Sequence, residues 1–187
     1  MKIKFIMDKE YDIKISLQLK ERVISRLKKL GYPVSTHMIR SLLEELYKKA
    51  RTEMETKLLE LQKSWNEIGE EFSEYIETTT NYKWFYPIYE CVLLITLGGV
   101  SNWGRGPKIG VGYFLGIQEA KRVVDHEAIL SHYFEIYRRY YADENLRDGQ
   151  VWALAEISAF ALTSLTDKAK NSGRMLPILQ TTITRKL

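Results

Sequence analysis

Asp125-His126-Glu127-Ala128-Ile129-Leu130-Ser131-His132 is the stretch on which the reading of this chain turns. It holds two of the three histidines, the first followed at once by a carboxylate, in a segment otherwise spaced as a packed helix. On a helical wheel Ile129, Leu130, Tyr133 and Tyr137 share one face; His126 falls in its middle and Glu127 at its border. Further on, Ala155-Glu156-Ile157-Ser158-Ala159-Phe160 places Glu156 in a second helix that is apolar on nearly every side. A carboxylate in such company is costly unless it is paired, hydrogen-bonded or bound to metal. The alanines of this helix allow close approach of a neighbour, and the His-Glu helix is the expected one. Glu156 is read as a site residue or as a buried partner of Arg138, Arg139 or a tyrosine.

Working outward, the expected helices run over 118–141 and 150–165, the second capped by Asp148. Before them lie a strand at Tyr86–Thr96 and another at Lys108–Leu115, within a span that holds seven of the eleven glycines. Upstream, Leu43, Leu46, Ala50, Met54, Leu58, Leu61, Trp65, Ile68, Phe72 and Tyr75 recur at helical spacing. They predict one long amphipathic helix over about 36–78, or two helices broken near Gly69, with the stripe facing a core. A helix over Leu17–Leu30 stops at Gly31 and Pro33. Lys2–Met7 and Tyr11–Ser16 alternate with period two, which suggests a hairpin or a single strand leading into a helix. His37 sits at a helix start and suggests nothing beyond capping.

These elements make an α+β protein: helix-rich, with a long helix and a small sheet from the N-terminal and 86–115 segments. Residues 1–187 are read as a single domain, 1–80 being its strand and helical N-terminal part and 81–170 its core. Cys91, the single cysteine, excludes an intrachain disulfide and a cysteine-rich metal site, and its apolar surroundings suggest an inert buried thiol. Residues 1–52 carry thirteen Lys/Arg against six Asp/Glu, whereas 53–80 carry two against eight. The basic lysines alternate with hydrophobes and form no nucleic-acid module, so a solvated face is expected and nucleic acid is not an expected partner. The start alternates charge and hydrophobe with no apolar block after it, and no run is long enough to span a bilayer. A cytoplasmic location is the expectation. Phosphate-loop and Gly-x-Ser-x-Gly motifs are missing from the sequence, and a Ser-His-Asp triad would need His126 or His132 again.

Taken in order, residues ~65–165 resemble the minimal domain of gluzincin-type (HExxH-like) zinc metallopeptidases. The resemblance rests on a long helix, the entry Phe85-Tyr86-Pro87-Ile88-Tyr89, and the glycine-rich crossing Gly98-Gly99-Val100-Ser101-Asn102. The strand Ile109-Gly110-Val111-Gly112, the His-Glu helix and the Glu156-x-x-Ala159 helix complete it. It implies zinc, with His126 as first ligand, Glu156 as a further ligand and Glu127 as the general base, beside a strand that holds peptide substrate by edge pairing. The second ligand of the motif would stand one turn after the first, where this chain has Leu130. His132 lies six residues on, ~120° around and ~9 Å along a regular helix. Two imidazoles on one zinc bring their nitrogens within ~3–4 Å, so His132 joins His126 and Glu156 only if the helix is broken or bulged between them. Failing that, His126 is a hydrogen-bonded core histidine and His132 an exposed or hydrogen-bonding one. The implied function is a metallopeptidase-like protein, a metal-dependent hydrolase with an irregular zinc site acting on peptides. The alternative is a catalytically inactive relative that binds a protein partner, or acts as a scaffold, through its long helix.

Overall fold

Alternation decides the first element. Ile3 and Phe5 turn inward and Lys2 and Lys4 outward along β1 (Lys2–Ile6). The computed structural model describes residues 1–101 and 105–165, so Asn102, Gly104, the 166–170 end of the expected core and the tail after Gly173 lie outside the described residues. Of the two arrangements open to the second alternating run, the chain takes strand into helix, and the helix begins at once. Asp8 accepts a hydrogen bond from the Tyr11 amide at 2.9 Å and caps α1 (Lys9–Gln18). Tyr11–Ser16 is therefore helical, burying Asp12, Ile13, Ile15 and Ser16 at helical intervals.

After α2 (Lys20–Lys29), Gly31 turns the chain at φ +84°, a left-handed conformation that glycine adopts without steric penalty. The long amphipathic segment forms two helices, α3 (Ile39–Asn66) and α4 (Gly69–Thr80). The break falls where the Trp65 ring closes over Gly69: a Cβ there would stand 2.5 Å from Trp65 Nε1. The stripe does face the core, since Leu43, Met54, Leu61 and Trp65 of α3 are almost wholly buried. Burial of each such side chain contributes ~1.5–3 kcal/mol.

Strands β2 (Ile88–Leu94), β3 (Gly99–Val100) and β4 (Lys108–Gly112) complete a four-stranded sheet in the order β1-β2-β4-β3. β1, β2 and β4 run parallel, with Phe5, Cys91 and Ile109 in register, and the short edge strand β3 runs antiparallel to β4. Cys91 is fully buried, as its apolar run suggests. Helix α5 (Ile117–Tyr140) packs across β4 and β3, and α6 (Asp148–Phe160) packs on α5. Asp148 is the first residue of α6; its expected capping place is held by Arg147, whose amide donates to Gln150 Oε1 at 3.1 Å. The fold is α+β and helix-rich, as expected. No helix among the described residues is long and apolar enough to cross a membrane.

Two devices lock these layers. Aromatic rings run edge to face from Phe5 to Trp65 (6.4 Å between centroids), Trp65 to Phe72 (5.6 Å) and Trp84 to Tyr89 (5.5 Å), joining β1, α3, α4 and β2. Asp12, fully buried in α1, accepts hydrogen bonds from the Ile95 amide (2.8 Å), the Tyr47 hydroxyl (3.1 Å) and the Ser16 hydroxyl (3.2 Å). Burial pushes its carboxyl above the usual range, only partly offset by those three donors. The knot fastens α1 to α3 and to the end of β2.

Candidate functional site at the start of helix α5

His126 and Glu127 occupy the first half of α5, whose apolar side is fixed by Ala120, Val124, Ala128 and Ile129. Helix α6 approaches through Val151, Ala155 and Ala159, the residues it buries, and Phe134 and Trp152 lie 5.5 Å apart between the two helices. That packing, anticipated from the alanines, brings Glu156 Oε2 to 3.2 Å from His126 Nε2. The environment of α6 differs from the expectation in one respect: Leu154 and Ile157 are exposed, and the Glu156 side chain keeps 28% of its surface accessible. Among the described residues only one flank of α6 is covered, so its apolar composition overstates its burial there.

Glu127, half-buried, turns toward the edge of the sheet. A Cβ on Gly99 would stand 2.5 Å from Glu127 Oε1 and 2.6 Å from Val123 Cγ1, so the carboxyl lies against bare backbone of β3. Burial raises its pKa to about 7; the neighbouring His126 and Arg22 pull it down and Glu156 pushes it further up. For His126, burial opposes the imidazolium, but the Glu156 hydrogen bond and the charges of Glu127 and Glu156 outweigh it. The net shift is upward. The corner thus holds an imidazole–carboxylate pair and, beside it, a carboxyl that exchanges its proton near neutrality. Groups of this kind can bind a polar backbone or transfer protons.

The structure leaves His132 apart from this corner. α5 is regular α-helix from Ile117 to Tyr140, without the break or bulge that would be needed to turn His132 back toward His126. Its ring packs instead 4.4 Å from Trp84 and 5.4 Å from Phe85, with only 1% of the residue exposed. Among the described residues neither ring nitrogen has a hydrogen-bond partner, and neither has a surface of its own. Burial lowers the imidazole pKa to about 4, with the nearby Tyr82 backbone and the charges of Glu77 and Glu135 acting in the opposite direction. The expected exposed or hydrogen-bonding role for His132 is thereby replaced by a buried, neutral and stacked one.

The donor set consequently fits a zinc ion poorly. His126 and Glu156 meet, Leu130 (1% exposed) stands at the one-turn position, and the other imidazole on α5 is engaged with Trp84 and Phe85. Among the described residues no three His, Cys, Asp or Glu side chains gather as a group that could hold a metal ion. A hydrolytic zinc site takes three protein ligands and a water.

Sequence reasoning did not identify Glu135. Fully buried, it accepts hydrogen bonds from Tyr86 (2.7 Å), Arg138 (2.5 Å) and Arg139 (3.0 Å), whose guanidinium also covers the Phe85 ring. Burial works against the charge, but Arg138, Tyr86 and Arg139 outweigh it and hold the carboxyl below its usual range. The two arginines weighed as partners of Glu156 thus pair with Glu135. The signal was present in their spacing, three and four residues after Glu135 on one helix. Comparison with protein-family models, curated proteins and solved structures gives no match for this chain.

Proposed function

We propose that this is a metallopeptidase-like protein that works by binding a protein or peptide partner rather than by zinc-dependent hydrolysis. The observation that carries this reading is the place of His132, packed against Trp84 and Phe85, while His126 bonds directly to Glu156. The α3 stripe is enclosed in the core, so the partner surface favoured here is the corner beside β3 rather than the long helix. There an extended segment could pair with the sheet edge, while Glu127, His126 and Glu156 offer hydrogen bonds.

Zinc titration calorimetry on the wild type and on Leu130→His, which restores the motif's one-turn spacing, tests the reading. Stoichiometric zinc binding is expected only in the variant. Hydrogen exchange of the intact protein with a pool of extended peptides should show protection at β3 and the first half of α5. Micromolar zinc binding by the wild type, with casein hydrolysis that Glu127→Gln abolishes, would overturn the proposal. That outcome belongs to the second reading, an irregular zinc hydrolase, which the Glu127 carboxyl favours because a pKa of about 7 suits a general base.

A further inference from the structure

A cleft of about 400 Å³ lies between α4, the second half of α5 and the end of α6. It is separate from the His126 corner, and its argument does not depend on the reading of that corner. Ile76, Ile129, Ile136 and Leu162 supply aliphatic wall, and His132 and Tyr133 add aromatic surface. Among the described residues the lining contains no Asp, Glu, Lys or Arg. Its aliphatic hydroxyls are already engaged: Thr80 donates to Ile76 O at 2.7 Å and Ser158 to Leu154 O at 2.8 Å. At the mouth the Tyr82 and Tyr141 hydroxyls bond each other at 2.7 Å.

One wall is shaped by an irregularity. After Phe160 the α6 helix widens into a π-helical turn, Ala161–Leu165, which brings Ala161 and Leu162 to the cleft, and Tyr75 donates to Leu162 O at 3.2 Å. Such turns are rare and concentrate at functional sites. The floor carries a second irregularity, the His132 imidazole, whose nitrogens reach neither solvent nor a hydrogen-bond partner among the described residues. A buried polar group left in that state is costly, and a neutral hydroxyl or amine in the cleft could satisfy it after a small turn of the ring.

We propose that this cleft is a binding site for a small, neutral, ring-containing apolar molecule carrying one hydrogen-bonding group. A charged ligand is disfavoured because it would lose its hydration with no counter-charge among the described lining residues. With Thr80 and Ser158 bonded to backbone carbonyls and Tyr82 to Tyr141, the wall offers few groups to a sugar or another polyol. The volume lies in the range of small-molecule pockets.

The test uses the full chain and N-phenyl-1-naphthylamine, a neutral aromatic amine whose fluorescence rises in apolar surroundings. Saturable binding at one site is expected, with the sulfonated analogue 8-anilinonaphthalene-1-sulfonate weaker by about tenfold or more, the ratio that excludes a charged group. Ala161→Phe, which fills the cleft, should weaken the neutral probe by a similar factor while leaving the far-ultraviolet circular dichroism unchanged. If that variant does not fold, Ile136→Phe serves the same purpose from the opposite wall. Imidazole nitrogen resonances of His132 should also shift on saturation. The proposal is overturned if the neutral probe does not saturate, if the sulfonate binds equally well, or if a folded cleft-filling variant binds like the wild type.

Discussion

His132→Phe is expected to stabilise the protein, and the gain should grow on acidification. The imidazole is 1% exposed, packed against Trp84 and Phe85, and has two nitrogens without hydrogen-bond partners among the described residues. Removing a buried unsatisfied polar group regains roughly 1–3 kcal/mol. Phenylalanine is somewhat larger, but the residue floors a cleft of about 400 Å³, so the extra carbon has room. The second contribution depends on pH. The folded pKa, about 4, lies below the ordinary 6.5, so in this window the unfolded chain takes up a proton that the folded chain refuses. Wild-type stability is therefore unaffected above about pH 6.5 and declines as the pH falls toward 4. At pH 5 the loss amounts to roughly 2 kcal/mol, which the variant does not suffer. Urea denaturation at about pH 7.5 and about pH 5 measures both, and the stability gap between variant and wild type should widen by ~2 kcal/mol. A variant less stable than wild type at the higher pH, or a gap that does not open on acidification, would refute the reasoning. Loss of stability would be the sign of a histidine bound to something.

Asp12→Ala should destabilise by roughly 1–3 kcal/mol in urea unfolding, because the Ile95 amide loses its buried acceptor while the Tyr47 and Ser16 hydroxyls keep only Leu93 O and Thr96 Oγ1. Glu156→Gln should lower the pKa of His126, read by NMR titration of the ring; an unchanged value would mean that the 3.2 Å contact is not maintained in solution. Gly112→Ala should cost ~1–3 kcal/mol, since the new methyl would stand 2.8 Å from the Leu97 carbonyl oxygen, backbone that cannot swing aside. A thermal melt equal to wild type would show that β4 has slack.

How much was legible depended on whether a residue's partner lay nearby in sequence. The α3–α4 stripe, the break near Gly69, the strands around Cys91 and Ile109 and the packing of α6 on α5 all follow from periodicity and from alanine placement. Tyr11–Ser16 did not, because Asp12 and Ser16 look like the solvent side of a strand; the Ile95 amide and Tyr47 for Asp12, and Thr96 for Ser16, all brought in from far along the chain, make their burial tolerable. The same limit governs the site. His126 and Glu156 were legible as facing groups on adjacent helices. The fate of His132 was not, because it is set by Trp84 and Phe85, residues from the connection between α4 and β2. Glu135 carries no ligand-like motif; its role follows from the two arginines three and four residues after it, a spacing also common on solvated helix faces.

The parallel pairing of β1 with β2 imposes an order of events during synthesis. Phe5 finds Cys91 beside it only after four helices have left the ribosome. Until then a strand whose inner side is isoleucine and phenylalanine has no mate. Lys2 and Lys4, alternating with those hydrophobes, put repelling charges on the nascent segment and discourage it from joining the same segment of another growing chain. The lysines that look idle on the finished surface thus guard the interval before the sheet can close.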